Sequence, residues 1–111
     1  LVDIRTNEFY DNEEVYEFIC QHLKSEVKAH SFRLKSSRID PAHPLIRKCV
    51  AMGMKPFGSP TLSDQALMHF PSFKLGPGES SRSHSADEFI KISEISDAVA
   101  KYRELLDRAS I

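Results

Sequence analysis

Val2 and Ile4 alternate with Asp3 and Arg5 at the start of the chain, which is the period of a half-buried strand released at Thr6-Asn7-Glu8. The period then lengthens. Val15, Phe18, Ile19, Leu23 and Val27 recur at helical spacing, and Asp11 or Asn12 supplies a capping side chain with Glu14 three residues beyond Asp11. From His30 to Arg38 the pattern returns to two, with Phe32 and Leu34 on one side and Arg33 and Lys35 on the other. The opening therefore predicts strand, helix, strand.

Asp40-Pro41-Ala42-His43-Pro44 breaks this order, and Pro44 sits well at the first turn of a new helix, where its missing N–H leaves nothing unpaired. That helix is expected to turn Leu45, Ile46, Cys49 and Val50 inward and to stop at Gly53. A short strand at 55–58, a brief helix from Asp64 to His69 capped by Ser63, and a strand through Phe73 and Leu75 follow. Residues 76–87 are rich in Gly, Ser and charge without apolar periodicity, which predicts a loop. Ser93 then caps a last helix with Ile95, Val99, Tyr102 and Leu106 in a stripe widened by Ala98 and Leu105. Alternating strands and helices point to an α/β fold with parallel pairing.

Composition narrows the functional classes. The 111 residues are 41% hydrophobic and 28% charged, an ordinary globular balance. Fifteen Lys and Arg face sixteen Asp and Glu, so no overall field favours nucleic acid or an anionic membrane. No run approaches the about 18 apolar residues of a membrane helix, and the first residues lack the pattern of a signal peptide, so the expected compartment is cytoplasmic. Cys20 and Cys49 lie on the apolar sides of helical patterns, as buried thiols do, and no disulfide is expected. The chain opens on a strand pattern without an initiator Met and reads as a piece of a longer protein.

Few residues carry candidate chemistry. His22, His30, His43 and His69 have no second ligand at the spacing of a local zinc site and read as surface or capping residues. His84 follows a strand end and the Gly76-Pro77-Gly78 turn, where α/β folds gather ligands; on position alone it is either functional or a hydrogen-bonded loop histidine. The serines at 80, 81 and 83 lack a nucleophile elbow, and Gly-Pro-Gly lacks the spacing and the Gly-Lys of a phosphate loop. Arg5, on the polar side of the first strand, is either a surface residue or a two-pronged carboxylate binder, a grip lysine cannot imitate.

Taken in order, Val2-Asp3-Ile4-Arg5-Thr6, Ser63-Asp64, and Gly76-Pro77-Gly78 through His84 and Glu88 resemble blocks of the acetylornithine deacetylase and succinyl-diaminopimelate desuccinylase family of zinc-dependent hydrolases. The resemblance extends over essentially the whole chain and lies nearest the acetylornithine deacetylase branch. It implies residues 1–41 as the strand-helix-strand second half of a ferredoxin-like lid that forms the homodimer, and 42–111 as the C-terminal part of a catalytic α/β domain. It implies two zinc ions, with cobalt as a possible substitute, and removal of the N-acyl group from N-acetyl- or N-succinyl-ornithine. The small-molecule N-acyl amino acid is then the partner, with no nucleic acid and no membrane.

By that resemblance His84 is a metal ligand, and Arg5 binds the substrate α-carboxylate from the partner subunit's lid. Thr61 and Leu62 line the same pocket, although Leu62 departs from the small polar residue common there. Glu88 orients the His84 loop, Asp64 braces its turn, and Arg82 stands where it could read an anionic acyl group. The general base, the remaining ligands and the oxyanion residue would all lie outside these residues, so no catalytic residue is assigned and the chain alone is expected to be inactive. A desuccinylase or dipeptidase of the same family, or a non-catalytic dimerisation module, are the alternatives.

Overall fold

The structure, a computed structural model, describes residues 1–109. It contains three α-helices, α1 (Asn12–His22), α2 (Pro44–Ala51) and α3 (Ile92–Leu106), and two short 3-10 turns at Asp64–Leu67 and Ser80–Arg82. Among the described residues there is no strand and no sheet. The expected α/β fold, a catalytic domain preceded by a strand-helix-strand lid, is therefore not what forms. At 2–6, 30–38, 55–58 and 73–75 the alternation is present without its structure. Alternation decides which side chains share a face, but a strand exists only when a second backbone supplies the ladder. Around 30–38 the long-range backbone bonds are isolated ones, Lys35 N–H to the Ala66 carbonyl at 3.1 Å and Ser72 N–H to the Arg38 carbonyl at 3.3 Å.

The chain divides into two compact units, Leu1–Asp40 with Phe57–Phe73, and Pro41–Pro56 with Lys74–Ile111. The first is built on α1, whose start is written locally. Asp11 Oδ1 accepts from the Glu14 N–H at 2.7 Å, and Glu14 Oε2 accepts from the Asp11 N–H at 2.9 Å, a complete capping box. The Asn12 amide donates to the Phe32 and Leu34 carbonyls, and the Tyr16 and Phe32 rings meet edge to face at 5.5 Å. None of the α1 residues is buried; Phe18 is 60% exposed and Cys20 is exposed, not covered as its helical position predicts.

The second unit is built on α2 packed against α3. Pro44 opens α2, and the His43 ring Nδ1 accepts from the Leu45 N–H at 3.3 Å, so this histidine caps the helix. Gly53 takes a φ of 84° just beyond the helix, where a side chain would be strained. Ile46 and Cys49 from α2, with Ala98 and Leu105 from α3, are the buried residues of this unit. Burial pushes the Cys49 thiol pKa up, which makes it an inert packing residue. Val50, expected inside, is half exposed. Ser93 does not cap α3: the helix begins at Ile92, and Glu94 Oε2 accepts from the Lys91 N–H at 2.9 Å.

Little of the apolar surface is covered. The accessible area is 9637 Å² for a 12.6-kDa chain. Exposed large apolar side chains include Phe9, Phe57, Phe70 and Phe89. Among the described residues no helix is long and apolar enough to cross a membrane.

Candidate functional site

The second unit contains the most elaborate local geometry, a loop that runs from the Gly76-Pro77-Gly78 turn to the start of α3. Gly78 has a φ of 80°, a backbone conformation that favours glycine, while a Cβ there would meet the Ile90 side chain only at an ordinary contact distance of 3.5 Å. Beneath the turn lies a cleft of about 330 Å³ lined in part by Leu75, Pro77, Asp97, Lys101 and Tyr102. His84 is not among its lining residues. His84 is instead an exposed residue of the loop, on a backbone with φ 60°, and Asp87 follows at φ 55°. Two non-glycine residues in the left-handed region within four positions mark a loop held by restraints outside its own backbone preference.

Those restraints are visible. The His84 N–H donates to Glu88 Oε2 at 3.1 Å, so the Glu88 carboxylate closes the loop directly over His84. The Ser85 N–H and Oγ both donate to the Arg82 carbonyl, at 3.3 and 2.6 Å. Arg82 Nη1 donates to Glu94 Oε2 at 2.7 Å and Nη2 to Glu94 Oε1 at 2.9 Å, a two-pronged fork between the loop and the first turn of α3. Its guanidinium also lies 4.7 Å from the Phe89 ring centre and 3.3 Å from Glu79 Oε1. The Arg82 hydrogen bonds, with help from the Lys91 N–H, hold the Glu94 carboxyl far below its usual range, at about 2. Reciprocally, Glu94 raises the Arg82 pKa.

This fork was not legible in the sequence. Arg82 and Glu94 are twelve positions apart, and Arg82 reads equally well as a free anion binder. With both Nη atoms committed to Glu94, it is not a free anion binder in this structure. The corresponding signal was the pairing of a lone arginine among serines with acids at 79 and 94, which a contact between the loop and α3 alone makes meaningful.

Among the described residues no three His, Cys, Asp or Glu side chains come together as a group able to hold a metal ion. The donor that does suit a metal is the His84 imidazole, exposed and without a hydrogen bond to any described residue. Its chemistry fits one arm of a zinc or cobalt site, since neutral imidazole is a common ligand of both. The other arms would have to come from groups elsewhere.

The first unit holds the other candidates. Arg5 Nε donates to Asp3 Oδ2 at 3.2 Å and Nη1 to the Pro60 carbonyl at 3.0 Å. That second bond places Arg5 beside Thr61, whose Oγ1 lies 2.7 Å from Ser59 Oγ, and Leu62, half exposed, is next in the chain. Of the five guanidinium N–H groups, two are used; one on Nη1 and both on Nη2 remain, which is enough for an end-on carboxylate fork. Asp64 opens the 3-10 turn at Asp64–Leu67 without a capping bond from Ser63, and its own exposed side chain makes no hydrogen bond or ion pair with a described residue. Arg5, Thr61, Leu62 and Asp64 therefore share one unit, while His84 and Glu88 share the other.

No protein-family model matches the chain, and a search of curated proteins finds none similar to it.

Proposed function

We propose that the chain supplies a metal ligand and a carboxylate-binding arginine to a metal-dependent hydrolase that removes the N-acyl group from an N-acyl amino acid, N-acetyl-ornithine first among them. What supports the reading is the resemblance of the ordered sequence blocks. The structural observation that carries it is the free His84 imidazole, on a loop whose backbone Glu88 holds at the same residue. In this reading His84 donates a ring nitrogen to zinc, or to cobalt in its place. When bound, such an ion lowers the pKa of a coordinated water to about 7 and polarises the amide carbonyl.

The chain's own residues do the rest of the work assigned to them. Arg5 presents its three unused N–H groups to the α-carboxylate of the amino acid, in the assembled dimer from the neighbouring copy. Thr61 and Leu62 border that carboxylate because the Pro60 carbonyl ties Arg5 to their segment. Glu88 keeps the His84 backbone in place, and Asp64 stands at the edge of the substrate segment. The products are the free amino acid and the carboxylic acid of the acyl group, with water adding across the amide bond.

Full-length protein loaded with zinc or cobalt, assayed on N-acetyl- and N-succinyl-ornithine, tests the reading. His84→Ala is expected to abolish turnover, and Arg5→Ala to raise KM by on the order of tenfold or more while kcat falls less, since Arg5 binds a remote group. Unchanged turnover in His84→Ala would remove the hydrolase reading. A second reading, a module that only mediates assembly, is favoured by the uncovered apolar surface, and it would stand if the whole protein bound no divalent metal.

A further inference from the structure

We propose that Arg82, gripped by Glu94, is a positioning residue that sets the backbone presenting His84; the proposal rests on His84 being a metal donor. The fork joins position 82, in the loop, to position 94, in the first turn of α3, and thereby closes a ring of chain that contains His84. Within that ring, His84 and Asp87 adopt the left-handed region, which ordinary residues leave when nothing holds them. Their own local bonds are few: the Glu88 carboxylate on the His84 N–H, and Ser85 on the Arg82 carbonyl. The second of these makes Arg82 part of the turn itself, so fixing its side chain fixes the backbone one residue before Ser83-His84.

Three features distinguish the fork from an ordinary surface ion pair. Both prongs are short, at 2.7 and 2.9 Å, and the two side chains are only 16% and 22% exposed. The Phe89 ring lies against the guanidinium and Glu79 adds a second carboxylate, so the group is held from several directions. Glu94 also accepts the Lys91 N–H, which ties the same carboxylate to the start of α3. With its pKa at about 2, Glu94 stays charged throughout the working range, so the fork is a permanent brace. An arginine suits the place because only its planar fork meets both carboxylate oxygens at once.

The experiment uses the full-length protein and two readouts, amide hydrogen exchange at residues 83–88 in the metal-free state and cobalt affinity from the visible absorption of the bound ion. Arg82→Met and Glu94→Gln are expected to speed exchange at 83–88 by tenfold or more, leave the α3 interior amides unchanged, and weaken cobalt binding ten- to a hundredfold, as loss of a ligand's support does. Arg82→Lys should fall between, and the exchanged pair Arg82→Glu with Glu94→Arg should recover part of the loss. Unchanged exchange at 83–88 in both single variants overturns the brace. Should Arg82→Met lose its helical circular dichroism, Glu94→Gln, which keeps the shape but turns one of the two acceptor oxygens into a donor, decides. His84→Ala separates the two ideas: if it binds cobalt like the native protein, the metal-donor reading fails, while the exchange data still judge the brace.

Discussion

The two units solve the same problem with different success. In the second, α2 packs against α3, Ile46, Cys49, Ala98 and Leu105 are buried, and the loop before α3 is tied to the helix by a charged fork. In the first, α1 has a better N-terminus than either of the other helices, yet buries nothing; Ala66 is the buried residue there. What holds it is a set of side-chain to backbone bonds, such as Asn12 to the Phe32 and Leu34 carbonyls and Ser36 to the Asn7 carbonyl. The difference shows that good local signals start a helix but do not cover it. Cover requires a second element whose apolar face is turned the same way, and the first unit has no second α-helix to supply one.

That contrast can be broken by experiment. The largest effect is expected at Leu105, near the end of α3 and only 4% exposed. Leu105→Ala should destabilise the second unit by about 3 kcal/mol, the transfer and cavity terms together, seen as a lower denaturant midpoint for the α3 amides in hydrogen exchange. The same substitution at Phe18, 60% exposed on α1, should change stability little. Equal losses at the two positions would dissolve the distinction between the units.

A smaller effect tests the local side of the comparison. Asp11→Ala removes the side-chain acceptor of the Glu14 N–H and should cost about 1 kcal/mol of α1 stability, measurable as faster exchange of the α1 amides. The second unit should not respond. If α3 loosened as well, the effect of the Asp11 cap would not be local to α1.

Acid should produce the smallest change and sharpen the comparison by its location. The Glu94 carboxyl has its pKa lowered from 4.5 to about 2 in the folded chain. A depressed carboxylate pKa contributes stability that is complete above the ordinary value and disappears as pH falls through the folded one. Between pH 4.5 and about 2, therefore, exchange at 83–88 and at the start of α3 should rise, and Glu94→Gln should flatten that dependence. A rise centred on α1 instead would show that the fork is not what acid removes.

The helices were readable because their determinants lie within a few residues of one another. Asp11 and Glu14 close their box across one turn, Pro44 sets its own φ at the start of α2, and the stripe from Ile95 to Leu106 repeats within α3. The segments at 2–6, 30–38, 55–58 and 73–75 were misread for the opposite reason. Their alternation describes a face, and no described segment pairs with them to make it a sheet. Cys20 was misplaced by the same logic, since its helical position says where it points and not what stands opposite. The residues of the candidate site divide likewise: His84 stands out by its place after Gly-Pro-Gly, whereas the occupation of Arg82 by Glu94 depends on a loop folding back across twelve positions.

By itself, the amino-acid order determined where α1 and α2 begin, that a third helix follows near residue 93, and which imidazole lies in the loop after Gly-Pro-Gly. Only the tertiary structure decided that α2 and α3 bury each other while α1 stays bare, that the alternating segments remain unpaired, and that Arg82 is spent on Glu94. The physical reason is range. A helix closes its hydrogen bonds four residues away and can be read there, while burial, ladders and ion pairs across a loop depend on a partner whose position no local pattern encodes.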